Sequence, residues 1–353
     1  MVFKIAYLIH HDITRNDGVT KKIKGQVDYW RALDVDVECF CILPLCNDSI
    51  LQSHQYESKH YLKQRLGVNL QLINDIGQFN PDVVYFRYDT WSRNFSILAS
   101  KYKIICELNT LDIEEFYLLY KKDKTIKSWL RYVTYKYLRR YVLNKAAGLV
   151  SVTTEIKDHP SNNKFQNKKI TIPNSINLDD YLIIKKIKSD DKRVGLFFIG
   201  TPNQPWHGID IIEDMAKNLP QFDFHIVGVT DTNTTNVFYH GYLKQSEYLE
   251  VLKKCHICIG SLALYRNNME EACPLKVREY LAYGYPIILG YNDTAFLDGS
   301  SLPWLHYIDK DIDYFNLISF INDYLGFIVP RNDLGPITVE FNEQKRIEFM
   351  KQC

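Results

Sequence analysis

Glu271 and Glu279 stand on either side of a helix start in the stretch EEACPLKVREYLAYGYPIIL, residues 270–289. Pro274 suits the first position of a helix, where its missing N–H costs nothing. Gly284 suits the residue past the end, and Pro286 prevents continuation. The spacing predicts a helix over about 274–283, with Glu271 in the preceding loop and Glu279 inside. At ~1.5 Å per residue, the rise from Pro274 to Glu279 is ~7.5 Å. Between the carboxylates lie the N–H groups of Cys273, Leu275 and Lys276, which with the helix dipole favour an anion or sugar hydroxyls. Carboxylate, helix N-terminus and carboxylate together make a clamp for a ligand about as long as a sugar joined to a nucleoside through a diphosphate. The plainer alternative is an acidic residue that suits the dipole and a glutamate on a solvated face.

A second group of polar residues sits at strand ends. His10 and His11 close the first strand, Arg87 lies in YFRYD, and Glu107 and Asn109 lie in CELNT. If those strands share one parallel sheet, all of these residues collect at its carboxyl edge, where open α/β sheets bind ligands.

The elements that must position them alternate short apolar strands with longer helices. Strands are expected at FKIAYLI, DVECFCIL, DVVYFR, KIICEL and GLVSVT, then at VGLFFIG, FDFHIVG, FYHGYL, HICIGSLA and PIILGY. Helices are expected at 20–33, 91–100 and 125–145. Continuous apolar strands are buried on both faces, which predicts parallel sheets. A chain of 353 residues exceeds one typical core. The polar, charged run after KITIPNSINLDDY marks a boundary near 174–192. The expectation is two doubly wound Rossmann-like α/β domains facing across a cleft, 1–175 and 176–335, with a helix at 336–353 crossing back to the first.

Composition excludes several classes. Net charge is +1 and apolar content is 46%, which argues against nucleic-acid binding driven by global charge. No apolar run reaches the ~20 residues of a membrane span. The start, MVFKIAYLIHHD, reads as a buried strand and not a signal peptide, so a cytoplasmic protein is expected. Cys255 and Cys258 have C-x-x-C spacing without a second pair, which disfavours zinc or redox chemistry. No G-x-G-x-x-G follows a strand, which disfavours a dinucleotide oxidoreductase. Asp34–Asp36 and Asp311–Asp313 have D-x-D spacing but read as surface turns.

The sequence resembles the GT-B glycosyltransferases, and among them glycosyltransferase family 4. Its EACPLKVRE matches the family's Glu-x7-Glu motif at Glu271 and Glu279. TIPNSINLDDY resembles the interdomain segment, with Ser175 in place of Gly. FIGTPNQPWHGID resembles the first loop of the second domain, and DITRNDGVTKKI the N-terminal Gly loop. The resemblance implies a retaining, metal-independent hexosyltransferase that uses a nucleotide sugar and needs no cofactor. It implies that Glu271 contacts the donor sugar, that Glu279 holds the ribose, and that the backbone near Pro274–Lys276 touches sugar and phosphate. Gly18 would let the backbone approach phosphate. Where the family has an Arg and a Lys after Gly200, this chain has Thr201 and His207. A protonated His207, Arg266 and Lys276 are the remaining cations for the diphosphate.

The segment 121–145 holds nine Lys/Arg, one Asp, Trp129 and four tyrosines. Such a helix suits an anionic membrane surface and a lipid-linked acceptor; a saccharide acceptor is the alternative. The expected role is cell-surface polysaccharide or glycolipid synthesis at the inner face of the membrane, with no nucleic-acid partner. Competing readings are a nucleotide-sugar epimerase of the same architecture and a non-catalytic sugar-nucleotide-binding partner.

Overall fold

The computed structural model describes residues 2–14, 17–42, 53–56, 61–185, 193–297 and 302–353. The chain forms two α/β units, Met1–Ser175 with Val339–Cys353, and Ile176–Thr338.

The first unit is built on strands β1 (Lys4–Ile9), β2 (Asp36–Ile42), β3 (Ser53–Tyr56), β4 (Val83–Arg87), β5 (Lys103–Leu108), β6 (Gly148–Ser151) and β7 (Lys168–Thr171). Their order is β3-β2-β1-β4-β5-β6-β7, and every pairing is parallel. The helices between them are α1 (Gly18–Ala32), α2 (Tyr61–Leu66), α3 (Leu70–Phe79), α4 (Arg93–Leu98), α5 (Asp112–Asp123), α6 (Ile126–Leu143), α7 (Thr154–Asp158) and α8 (Pro160–Asn163). Side-chain caps set several starts: Asp17, Asn69, Ser92 and Thr125 each accept from an N–H in the first turn of the helix that follows.

The second unit contains β8 (Val194–Ile199), α9 (Ile209–Asn218), β9 (Phe222–Val227), β10 (Val237–Tyr239), α10 (Gln245–Leu252), β11 (Ile257–Ile259), β12 (Glu271–Ala272), α11 (Leu275–Ala282), β13 (Ile287–Leu289), β14 (Asn292–Asp293), β15 (Leu305–Tyr307) and α12 (Tyr314–Asp323). Its main sheet is parallel in the order β10-β9-β8-β11-β13-β15, and β12 pairs with β14. Both units are Rossmann-like. Their strand orders reverse at β1/β4 and β8/β11, and open α/β sheets bind ligands outside the carboxyl ends of the strands at such points.

The last helix, α13 (Val339–Gln352), belongs to the first unit. Ile347, Phe349 and Met350 join the core formed by Ile5, Tyr7, Ile9, Trp30 and Tyr85. Burying each large apolar side chain contributes roughly 1.5–3 kcal/mol. Gly148 on β6 lets the helix approach: a Cβ there would lie 2.9 Å from the Phe349 ring.

The segment 121–145 is not one helix. Lys124 adopts a left-handed φ of 50°, which ends α5, and Thr125 caps α6 afresh. Its residues are also not uniformly exposed. Arg139 is buried, paired with Asp112 and bonded to Asn162, and Tyr135 donates to Asp89 at 2.6 Å.

Candidate functional site

In the second unit the site assembles at the ends of β8 and β11. Gly200 follows β8, and Gly228 follows β9 with a left-handed φ of 87°. A Cβ on Gly228 would lie 2.1 Å from the Gly200 carbonyl oxygen, so that position accepts only glycine. Thr201 is exposed in the loop that follows β8. His207 turns back beneath the loop: a Cβ on Gly200 would lie 2.7 Å from its Nδ1. The His207 Nδ1 is buried with no hydrogen-bond partner among the described residues, and its ring stands edge-on to Phe198.

The surroundings of His207 oppose the protonated form expected of it. Burial, and next the charge of Lys276, push its imidazolium down to about 2, against a backbone contact with Thr201. In the unliganded protein the ring is therefore neutral near pH 7. Arg266 is also committed elsewhere. Its guanidinium bonds both oxygens of Asp210 at 2.9 and 2.7 Å and the Pro205 carbonyl at 3.1 Å. It braces the loop after β8 to the start of α9 and is not available as a diphosphate ligand in this arrangement.

Lys276 remains. Its Nζ is buried, sits 3.9 Å over the Phe198 ring, and has no hydrogen-bond partner among the described residues. Burial alone drives its ammonium down to about 7. Pro274 takes the cap position of α11, one place earlier than its expected first-turn place, and supplies no side-chain acceptor. The N–H groups of Leu275 and Lys276 find no acceptor among the described residues, because the first backbone bonds back to Pro274 come from Val277 and Arg278. A desolvated ammonium and two open amides therefore share the start of α11.

The two glutamates flank this start. Glu271 is held on β12, where it pairs in register with Asn292 of β14, and its Oε2 accepts from Thr294 at 3.5 Å. Behind it, Arg278 and Asp293, both fully buried, form a two-point ion pair at 2.7 Å that ties α11 to β14. Sequence reasoning missed this support. Buried Cys273 fills the turn from β12 into the helix. Glu279 accepts from Tyr181 at 3.4 Å and Tyr248 at 3.1 Å. Burial, then the Glu279 charge, push both phenols up, so they stay donors. A carboxylate offers about four acceptor sites, and each phenol fills one of them.

In the first unit the polar residues at the carboxyl edge of the sheet are bound to one another. His10 Nδ1 lies 3.3 Å from Asp89, which also receives Arg65 and Tyr135. His11 reaches both oxygens of Asp17 at 3.1 Å and so braces the cap of α1. Gly18 is the first residue of α1 and does not adopt a left-handed φ. Glu107, expected at the acceptor surface, is instead fully buried, because Lys22 at 2.8 Å, Arg346 at 3.2 Å and Arg87 at 3.5 Å close over it. Burial alone would raise its carboxyl; the Lys22, Arg346 and Arg87 charges hold it well below the carboxylate range. Arg87 also donates to Asn109 at 3.1 Å. The D-x-D pairs are structural: Asp34 sits in a left-handed turn, and Asp313 caps α12.

Solved structures of similar fold cover nearly all of the chain. Sucrose-phosphate synthase from Thermosynechococcus elongatus has a TM-score of 0.68 at 14% identity, covering 99% of this chain and 98% of its own. An alpha-glucosyltransferase in complex with UDP-glucose and DNA has a TM-score of 0.63 at 11% identity, covering 99% and 100%. The Anabaena protein HepE, in complex with UDP and glucose, has a TM-score of 0.57 at 12% identity, covering 99% and 100%. These likenesses are in fold, which is that of the GT-B glycosyltransferases. No protein-family model matches the chain, and no curated protein sequence matches it.

Proposed function

We propose that the chain is a retaining glycosyltransferase of the family 4 type, moving a hexosyl group from a nucleoside-diphosphate sugar to a saccharide or lipid-linked acceptor. The observation that carries this is the start of α11, where a buried, unpartnered ammonium and two open amides lie between two carboxylates. Neighbours in fold that hold UDP, UDP-glucose or UDP with glucose support the same ligand class.

In this reading Lys276 and the amides of Leu275 and Lys276 receive the diphosphate. They stabilise the charge that grows on it as the glycosidic bond breaks, from donors already in place. Glu279 accepts from the ribose hydroxyls, Glu271 orients the donor sugar, and the narrow glycine turn at Gly200 admits the phosphates beside Thr201. No metal is required, since the phosphates meet N–H groups and a lysine. Transfer should therefore persist in EDTA, and loss restored by Mn²⁺ or Mg²⁺ would refute that part.

Calorimetric titration of UDP tests the site. Glu279→Ala should weaken binding by ~1.5–3 kcal/mol, the scale of a charged hydrogen bond. Glu271→Gln should leave UDP affinity near normal and lower transfer ~10–1000-fold, or ~1.4–4 kcal/mol of transition-state stabilisation. Unchanged affinity in a folded Glu279→Ala variant would remove the assignment. Interconversion of two nucleotide sugars without acceptor would favour the epimerase. Donor binding without turnover would favour the non-catalytic reading, to which the committed Arg266 lends support.

A role at the inner face of a membrane rests on α6. It carries five basic residues and no acidic one, and Ile126, Trp129, Leu130, Tyr137 and Tyr141 are exposed along it. Basic and apolar groups on one helix surface complement an anionic lipid headgroup layer.

A further inference from the structure

The buried network of the first unit is not electrically balanced. Lys22, Arg87 and Arg346 are joined to Glu107 and Glu343 through contacts of 2.7–3.5 Å, so three cations face two carboxylates. Burial pushes the Lys22 ammonium down only to about 8, which keeps it protonated at neutral pH. Tyr7 and Tyr85, which lie in the same cluster, are pushed up by burial and stay neutral. The network holds one positive charge in excess.

That charge has one outlet. The side chains of Lys22, Glu107, Arg346 and Glu343 are at most 1% exposed, whereas Arg87 is 19% exposed at the carboxyl end of β4. Arg87 spends Nη1 on Asn109 and Glu107; its Nε and Nη2 meet no acceptor among the described residues. Glu107 cannot satisfy them, because both of its oxygens are already shared with Lys22, Arg346 and Asn109. A guanidinium with an open two-point edge, backed by uncompensated buried charge, fits a carboxylate or phosphate in the forked geometry that arginine prefers.

We propose that Arg87, set by Asn109 and Lys22, binds an anionic group on the acceptor, so that the acceptor is an acidic or phosphorylated saccharide. The identification of this anion with the acceptor rests on the transferase reading; the existence of the anion site does not.

The full chain is titrated with glucuronate, glucose 6-phosphate, glucose, inorganic phosphate and UDP. Saturable binding of glucuronate or glucose 6-phosphate is expected, with none for glucose and weaker binding of inorganic phosphate. Arg87→Gln should weaken the anionic sugar at least tenfold and leave UDP affinity unchanged. Asn109→Asp, which places a carboxylate where Lys22 and Arg87 converge, should abolish anionic-sugar binding in a fold at least as stable, and it covers failure of the first variant to fold. Absence of saturable anionic-sugar binding while UDP binds would overturn the proposal and spare the donor site. Phosphate as tight as glucose 6-phosphate, or UDP affinity that falls with Arg87→Gln, would also overturn it. Failure of UDP itself would count against the transferase reading alone.

Discussion

Each unit buries lysine beneath the carboxyl end of its sheet, and the two lysines differ in what they meet. Lys22 finds Glu107 at 2.8 Å and Asn109 at 3.0 Å. Lys276 finds the face of Phe198 and no hydrogen-bond acceptor among the described residues. A buried charge costs several kcal/mol unless it is paired. The Lys22 cluster meets most of that cost within the chain, so its residues are chiefly architecture, with a single charge left over at Arg87. At Lys276 the cost stands in the unliganded protein, and a bound anion would remove it. A perturbed cation with a partner argues for structure; one without a partner in a crevice argues for a ligand.

The largest effect should come from breaking the paired side. Arg346→Ala leaves Glu343 buried against Trp30 and Ser175, and Glu107 short of one cation. Loss of one partner from such a network costs ~3–5 kcal/mol, to be read as a lower denaturation midpoint. Glu107 gives the same network a pH signature. Its folded pKa lies below the unfolded value of 4.5, so its stabilisation is present above that value and is lost as pH falls. A variant as stable as wild type would show that the cluster is not the keystone of the first unit.

Lys276→Met should act in the opposite sense. With no ion pair to lose, the unliganded protein should be as stable as wild type or more so, while UDP affinity falls ~10–100-fold, or ~1.4–2.7 kcal/mol. The folded pKa of Lys276 is about 7 and its ordinary value is 10.5. Between those values the unfolded chain holds more protons, so stability rises with pH across that window. Lys276→Met should flatten this slope. Binding of UDP near pH 8 should draw in a proton, visible as a buffer-dependent heat. If Lys276→Met destabilises as strongly as Arg346→Ala, the contrast between the units fails.

The strands were legible because buried parallel strands are short apolar runs, as in KIAYLI and VGLFFI. The edge strand β3, SHQY, and β15, LHY, carry too little of that signal to read. The two ends of α11 were legible to within a residue or so from Pro274 and from Gly284 and Pro286, because cap chemistry is local. What lay beyond reach was pairing across distance. Glu107 meets Lys22 from 85 residues away and Arg346 from 239. In the tail FNEQKRIEFM, Asn342, Glu343 and Arg346 look solvated in sequence yet are fully buried, because their partners come from elsewhere in the first unit. The setting of His207 was hidden for a related reason: its type suggested a proton carrier, and only the turn that tucks it under Gly200 buries the ring and lowers its pKa.

The smallest effect per residue is expected on α6, where buried and open arginines lie side by side. Arg139 is closed over by Asp112, Asn162 and the Tyr88 ring, so Arg139→Gln should lower stability and leave lipid binding per folded molecule unchanged. Lys127, Arg131, Lys136 and Arg140 are exposed. Each contributes up to ~1 kcal/mol near an anionic bilayer, and less as salt screens it. Replacing these four with Gln should release the protein from phosphatidylserine-containing vesicles in a flotation assay and leave UDP binding and the denaturation midpoint intact. The exposed Trp129 would report the same event as a fluorescence change on vesicle addition. Wild-type protein that ignores such vesicles at low salt would make the basic face of α6 a solvated surface and detach the proposed transferase from the membrane.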